Sequence, residues 1–130
     1  MTPELTALAF AGILQFVQVA VFAIPANLQV GPKYAMSSRD TPRQLTGFAG
    51  RAQRAMNNHF ENLTLFAVAV LVVTASGTGS ALTAACGWAY LGARLLYLPA
   101  YLFDWVPWRS LFFAVGWLAT LTMLLAALLA

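Results

Sequence analysis

LTGFAGRAQRAMNNHFENLTLFAVAVLVVTA, residues 45–75, is the segment from which the architecture follows. Its apolar part, Leu63 to Ala75, has only 13 residues, whereas a bilayer crossing needs about 20. The helix must therefore start earlier, near Leu45. That extension places Arg51, Arg54, Asn57, Asn58, His59, Glu61 and Asn62 on a membrane or juxtamembrane helix. A charge at the centre of such a helix costs about 2.5–3.5 kcal/mol on insertion scales, so these side chains are expected to face protein or a wet cavity and to find partners.

The flanking sequence has the same character. Upstream, Leu5 to Ala26 carries no charge and only Gln15 and Gln18 interrupt its apolar run. It is too long for the hydrophobic core of a signal peptide, and Glu4 precedes it in place of a basic residue, so this segment is expected to stay in the mature protein. Gly31-Pro32, Ser37-Ser38, Asp40 and Pro42 mark a polar connection. Downstream, Ser76-Gly77-Thr78-Gly79-Ser80 is a turn, residues 81–103 are apolar except for Arg94 and the phenols Tyr90, Tyr97 and Tyr101, and the last segment is uncharged from Leu111 to Ala130. The spacing predicts helices over about 5–26, 45–75, 81–103 and 109–130. The fold class is all-α, a bundle of four transmembrane helices forming a single domain over residues 1–130.

Composition agrees. Of 130 residues, 61% are hydrophobic and 8% charged, with a mean hydropathy of +0.74, whereas a soluble domain carries roughly 25% charged residues. A soluble globule is excluded. Seven Lys and Arg against four Asp and Glu give a net charge of +3, but no soluble face remains on which a basic stripe could form, so no nucleic acid is expected. One histidine and one cysteine cannot assemble a structural zinc site or bis-histidine haem ligation, so no metal is expected. Cys86 reads as a small buried hydrophobe.

With four crossings, the first and third connections share a side. Those connections and their flanking turns hold Lys33, Arg39, Arg43, Arg51, Arg54 and Arg109. The positive-inside rule then puts both termini outside and the basic connections in the cytoplasm. Tyr101, Trp105 and Trp108 cluster at the same boundary, where amphipathic rings favour the interface.

Two helical faces carry the polar groups. At about 100° per residue, Arg51, Arg54, Asn58, Glu61 and Asn62 fall within roughly a 100° sector, and Arg94, Tyr97 and Tyr101 within about 60°. Glu61 has Arg94 and Arg54 as candidate partners. It can balance only one of them, and the surplus of guanidinium points to an anionic ligand. Arginines with an amide, one carboxylate and two phenols suit a zwitterionic, net-negative small molecule.

Arg54-Ala55-Met56-Asn57-Asn58-His59-Phe60-Glu61, preceded by Arg51, resembles the second-helix signature of the membrane-associated proteins in eicosanoid and glutathione metabolism (MAPEG). Arg94-Leu95-Leu96-Tyr97 with Tyr101 is similar to that family's third-helix motif, and Arg109-Ser110 resembles its thiol-activating arginine and the serine that follows. The resemblance covers essentially the whole chain, and the short chain resembles the bacterial branch, which implies an inner-membrane location. Asn62 departs from the pattern, standing where some eukaryotic members carry tyrosine, and the spacing from Tyr101 to Arg109 is about one residue short of some members.

The resemblance implies a homotrimer that binds glutathione between subunits near the cytoplasmic face. By position, Arg54, Asn58 and Glu61 would hold the tripeptide, with Glu61 toward its amino group. Tyr97 and Tyr101 would line the neighbouring wall, and Lys33 would meet a glutathione carboxylate. Arg51, Arg94 and Ser110 would support the polar network, and Arg109 would face the sulfur. The implied activity is that of a glutathione transferase or peroxidase acting on a lipophilic small molecule that arrives from membrane lipid. Lowering a thiol pKa by about two units from near 8.5 takes roughly 2.7 kcal/mol of thiolate stabilisation.

Other polar residues have plainer readings. His59, about 160° from Glu61, reads as an interfacial polar residue. Ser110 is either a fourth-helix cap or a donor in the site, and Pro25 and Pro99 shape helix ends or kinks. Two alternatives remain for function: a small four-helix transporter or channel, and a non-catalytic binding protein of the same fold. Small multidrug exporters have an acid within the first helix; none lies within residues 5–26 here.

Overall fold

The computed structural model describes residues 1–40 and 43–130. Among these residues five helices follow one another: α1 Pro3–Val30, α2 Pro32–Ala35, α3 Gly47–Ser76, α4 Ala81–Leu102 and α5 Trp108–Leu129. No strand occurs among the described residues. Three of the helices, α1, α3 and α5, are long and apolar enough to cross a membrane. At 22 residues α4 matches α5 in length, but its apolar run is diluted by Gly87, Gly92, Arg94, Pro99 and its three phenols.

Helix ends follow local chemistry. Thr2 caps α1, its hydroxyl accepting from the Leu5 amide at 3.2 Å, with Pro3 preset for the first turn. The helix runs through Pro25 and four residues past the expected end at Ala26, stopping at Gly31. Pro32 then opens the short α2, which the sequence reading treats only as a break. Ser80 and Thr83 form a reciprocal capping box at the start of α4. Gly77, at φ 69°, closes α3 in the left-handed conformation and lets the Thr78 amide reach back to the Val73 carbonyl. In the connection after α1, Arg43 donates to the Val30 carbonyl at 2.8 Å and Arg39 to the Ala35 carbonyl at 2.7 Å. Both satisfy carbonyls at helix ends. Pro42, expected as a turn former, lies outside the described residues.

The core is built from small side chains around a few large ones. Ala7 and Ala11 of α1, Phe66, Ala69, Val70 and Val73 of α3, Cys86 and Tyr90 of α4, and Ala119 and Met123 of α5 pack together. Cys86 is a buried free cysteine, as expected. Phe66 stacks on Tyr90 with ring centroids 3.8 Å apart. Where lipid surrounds the protein, helix association comes from such close packing and not from apolar transfer, because the tails are as apolar as the side chains. Two glycines allow close approach between helices. A Cβ at Gly87 would stand 3.6 Å from both the Ala7 Cβ and the Glu4 Cα, and one at Gly116 would stand 3.6 Å from the Tyr90 ring and 3.7 Å from the Arg94 Cδ. Large apolar residues such as Phe16 and Leu28 face outward.

Candidate functional site

The polar residues gather where the first half of α3 meets the second half of α4 and the start of α5. On α3 the buried residues Ala52, Ala55, His59, Phe66, Ala69 and Val73 recur at three- and four-residue intervals or their sums, giving one inward stripe. Arg51 flanks this stripe, half-buried, and its Nε donates to the Leu102 carbonyl at 2.8 Å, tying the start of α3 to the end of α4.

One cluster centres on Tyr101. Its hydroxyl accepts from Arg54 Nε at 3.1 Å, and the Arg109 guanidinium lies 5.1 Å from its ring centroid. Three helices thus bring together three of the expected site residues. Tyr97 and Tyr101 are 5.6 Å apart by ring centroids. Tyr97, Tyr101, Arg109, Ser110 and Phe113 enclose a cleft of about 140 Å³. Arg109 also meets Asp104 at 3.3 Å, the only ion pair among the described residues. Asp104 is a participant that the sequence reading missed; the signal was an acid five residues before Arg109 across the α4–α5 turn. Ser110 is no cap: α5 starts at Trp108 with Pro107 before it and no side-chain cap bond. Its side chain is exposed and lines the cleft.

A second cluster centres on Arg94, which is 1% exposed. Its Nη1 donates to Asn58 Oδ1 at 3.0 Å, its Nε to His59 Nδ1 at 3.3 Å, and its guanidinium lies 4.2 Å from the Tyr97 ring centroid. Arg94 Nη2 and the Tyr90 hydroxyl are buried without a partner. Asn58 Oδ1 also receives Asn62 Nδ2 at 3.3 Å. Beside Asn62 an apolar groove of about 180 Å³ runs between α3 and α5, lined by Leu65, Trp117, Thr120, Leu121 and Leu124.

Two expectations need correction. His59 is fully buried, not interfacial: its Nε2 lies 3.0 Å from the Ala11 carbonyl of α1. The sector opposite Glu61 is the one against which α1 packs. Glu61 is exposed and pairs with neither Arg54 nor Arg94. Arg54 sits seven residues earlier on the same helix, about 10.5 Å along its axis, and Arg94 is turned inward. Lys33 is exposed on α2, and no hydrogen bond or ion pair joins it to these clusters. Among the described residues no group of His, Cys, Asp and Glu has the arrangement of a metal site.

The arrangement can bind an anion. Arg51, Arg54 and Arg94 have no carboxylate partner, while two phenols and an amide provide directional hydrogen bonds beside them. Comparison with curated proteins and with solved structures returned no match. The family profile described as MAPEG family matches residues 5–129, nearly the whole of the chain whose motifs form these clusters, and the protein therefore belongs to the MAPEG family.

Proposed function

We propose that this membrane protein is a four-crossing subunit of a homotrimer that binds glutathione and uses its thiolate, stabilised by Arg109, against lipophilic electrophiles or peroxides. The carrying observation is the unbalanced guanidinium charge: of the four arginines in the two clusters and beside them, only Arg109 meets an acid. A glutathione anion supplies two carboxylates for those guanidiniums and an ammonium for Glu61. The cleft of about 140 Å³ is smaller than the roughly 300–1,000 Å³ of a drug-sized ligand site. Arg54 and Glu61 are also exposed on the protomer. Both facts support a site completed by a neighbouring copy, to which Lys33 would contribute.

The topology has support of the same kind. Arg51 is tied to the end of α4 and Arg109 opens α5, so both basic connections lie at one end of the bundle and both termini at the other. By the positive-inside rule the basic end is cytoplasmic. The thiol loses its proton, its sulfur forms a C–S bond to the electrophilic carbon, and the leaving group departs with the bonding pair. For a peroxide, the sulfur attacks oxygen and releases the alcohol; a second glutathione then reduces the sulfenic acid, giving disulfide and water. The apolar groove beside Asn62 is where the lipophile would lie.

A calorimetric titration of detergent-solubilised protein with glutathione, followed by conjugation of chlorodinitrobenzene, tests the proposal. Arg54→Ala and Glu61→Gln are expected to weaken binding. Arg109→Ala is expected to spare binding and remove the ultraviolet absorbance of the thiolate. Absence of binding at millimolar glutathione overturns the reading in favour of a transporter, and binding without turnover leaves a binding protein.

A further inference from the structure

His59 has no place in the chemistry just described, yet it is the most enclosed polar ring in the bundle. Its two nitrogens face different obligations. The Ala11 carbonyl, 3.0 Å from Nε2, can only accept, so Nε2 carries the proton. Arg94 Nε can only donate, so Nδ1, 3.3 Å away, must be the bare acceptor. The contacts on both sides thus select one neutral tautomer. Arg94 then has its Nε anchored and its ring-facing side set on Tyr97, which leaves Nη1 directed at Asn58 Oδ1 at 3.0 Å. A second donor, Asn62 Nδ2, meets the same oxygen at 3.3 Å. With two donors on its oxygen, the Asn58 amide cannot flip without losing both. Its Nδ2 is left neither buried nor bonded within the protomer.

We propose that His59 is a positioning residue: through Arg94 it locks the Asn58 amide so that Asn58 offers the ligand only N–H donors, and the ligand group seated there is a carboxylate or carbonyl oxygen. The relay runs from an α1 carbonyl, through an imidazole and a guanidinium, to an amide at the proposed binding face. It rests on the glutathione reading for the identity of the ligand, but not for the relay itself.

Two substitutions separate positioning from simple helix-to-helix attachment. His59→Asn puts an amide oxygen near the place of Nδ1 and keeps an acceptor for Arg94, while abandoning Ala11. His59→Gln puts an amide nitrogen near the place of Nε2 and keeps the Ala11 bond, while abandoning Arg94. Positioning predicts that His59→Asn binds glutathione within about threefold of the parent and that His59→Gln is weaker on the order of tenfold, as expected for one hydrogen bond to a charged group. Equal affinity for the parent and His59→Gln overturns the proposal, as does loss of affinity in both variants that merely tracks their unfolding midpoints.

The relay has its own readout. Because the chain has one histidine, protein labelled with nitrogen-15 histidine gives a single imidazole in the magnetic resonance spectrum. Nε2 is expected to be protonated and Nδ1 bare, and the Nδ1 resonance is expected to move in Arg94→Met. A proton on Nδ1, or a Nδ1 resonance indifferent to Arg94→Met, overturns the relay even if glutathione binds. If glutathione fails to bind the parent while the imidazole behaves as expected, the ligand reading falls and the relay stands.

Discussion

Glu4 and Arg94 are both ionisable and almost wholly buried, at 3% and 1% exposed, yet they are treated in opposite ways. Glu4 lies at the start of α1 against the Thr83 hydroxyl at 2.5 Å, and Thr83 is itself part of the α4 capping box. No buried polar atom in that group lacks a partner. Arg94 is held by His59, Asn58 and Tyr97 but keeps Nη2 unbonded, as is the hydroxyl of Tyr90 four residues earlier on α4. A closed polar group ties helices together. One with a donor left over keeps hydrogen-bonding capacity unspent, and an unmet buried donor costs stability to maintain.

That contrast can be broken most sharply at Arg94. Arg94→Met keeps an unbranched stem and removes the charge; glutathione affinity is expected to fall about a hundredfold or more, from loss of hydrogen bonds worth roughly 1.5–3 kcal/mol each. The unfolding midpoint in detergent should change little, since the gain from replacing a buried charge by packing is offset by the His59 and Asn58 acceptors left without their donor. A collapsed fold with intact binding would erase the distinction. Next, Arg109→Ala is expected to cut conjugation by about a hundredfold at saturating glutathione, the equivalent of two pKa units of thiolate stabilisation, with affinity preserved in the titration.

Glu4→Ala should show the reverse pattern: about 1–2 kcal/mol of stability lost in chemical unfolding and unchanged glutathione affinity. The loss is moderate because the Thr83 hydroxyl retains the Ser80 carbonyl at 3.0 Å as an acceptor. The smallest effect is expected of Tyr101→Phe, which keeps the ring against Arg109 and removes the acceptor for Arg54. Affinity should weaken about three- to tenfold, the range of one ordinary hydrogen bond.

The long helices were legible because apolar runs and breakers are local signals: Gly47–Ser76 and Ala81–Leu102 lie within two residues of the expected ends. The short α2 was not, since Gly31-Pro32 reads as a stop although proline also starts helices. Within the site, angular arithmetic gives Arg54 a place on one polar face and Tyr97 and Tyr101 a place on another, and the structure joins Arg54 to Tyr101. The arithmetic did not tell which side of α3 receives α1, and so His59 was misplaced. The inward stripe of Ala52, Ala55 and His59 held that information. The two polar helical faces make Arg54 and Arg94 candidate partners for Glu61, but whether charges meet is decided by axial distance and side-chain direction. Tertiary pairings such as Glu4 with Thr83, 79 residues apart, have no local signature at all.

The seat that Gly87 leaves for α1 restricts which substitutions the chain can accept over time. A methyl group there makes ordinary contact with Ala7 and the Glu4 backbone, so alanine is a permissible neighbour in sequence space. Any bulkier residue would wedge the first helix away and dislodge Glu4 from its hydroxyl. Variation at position 87 should therefore be confined to glycine and alanine, unless a compensating deletion of side-chain volume appears at position 7.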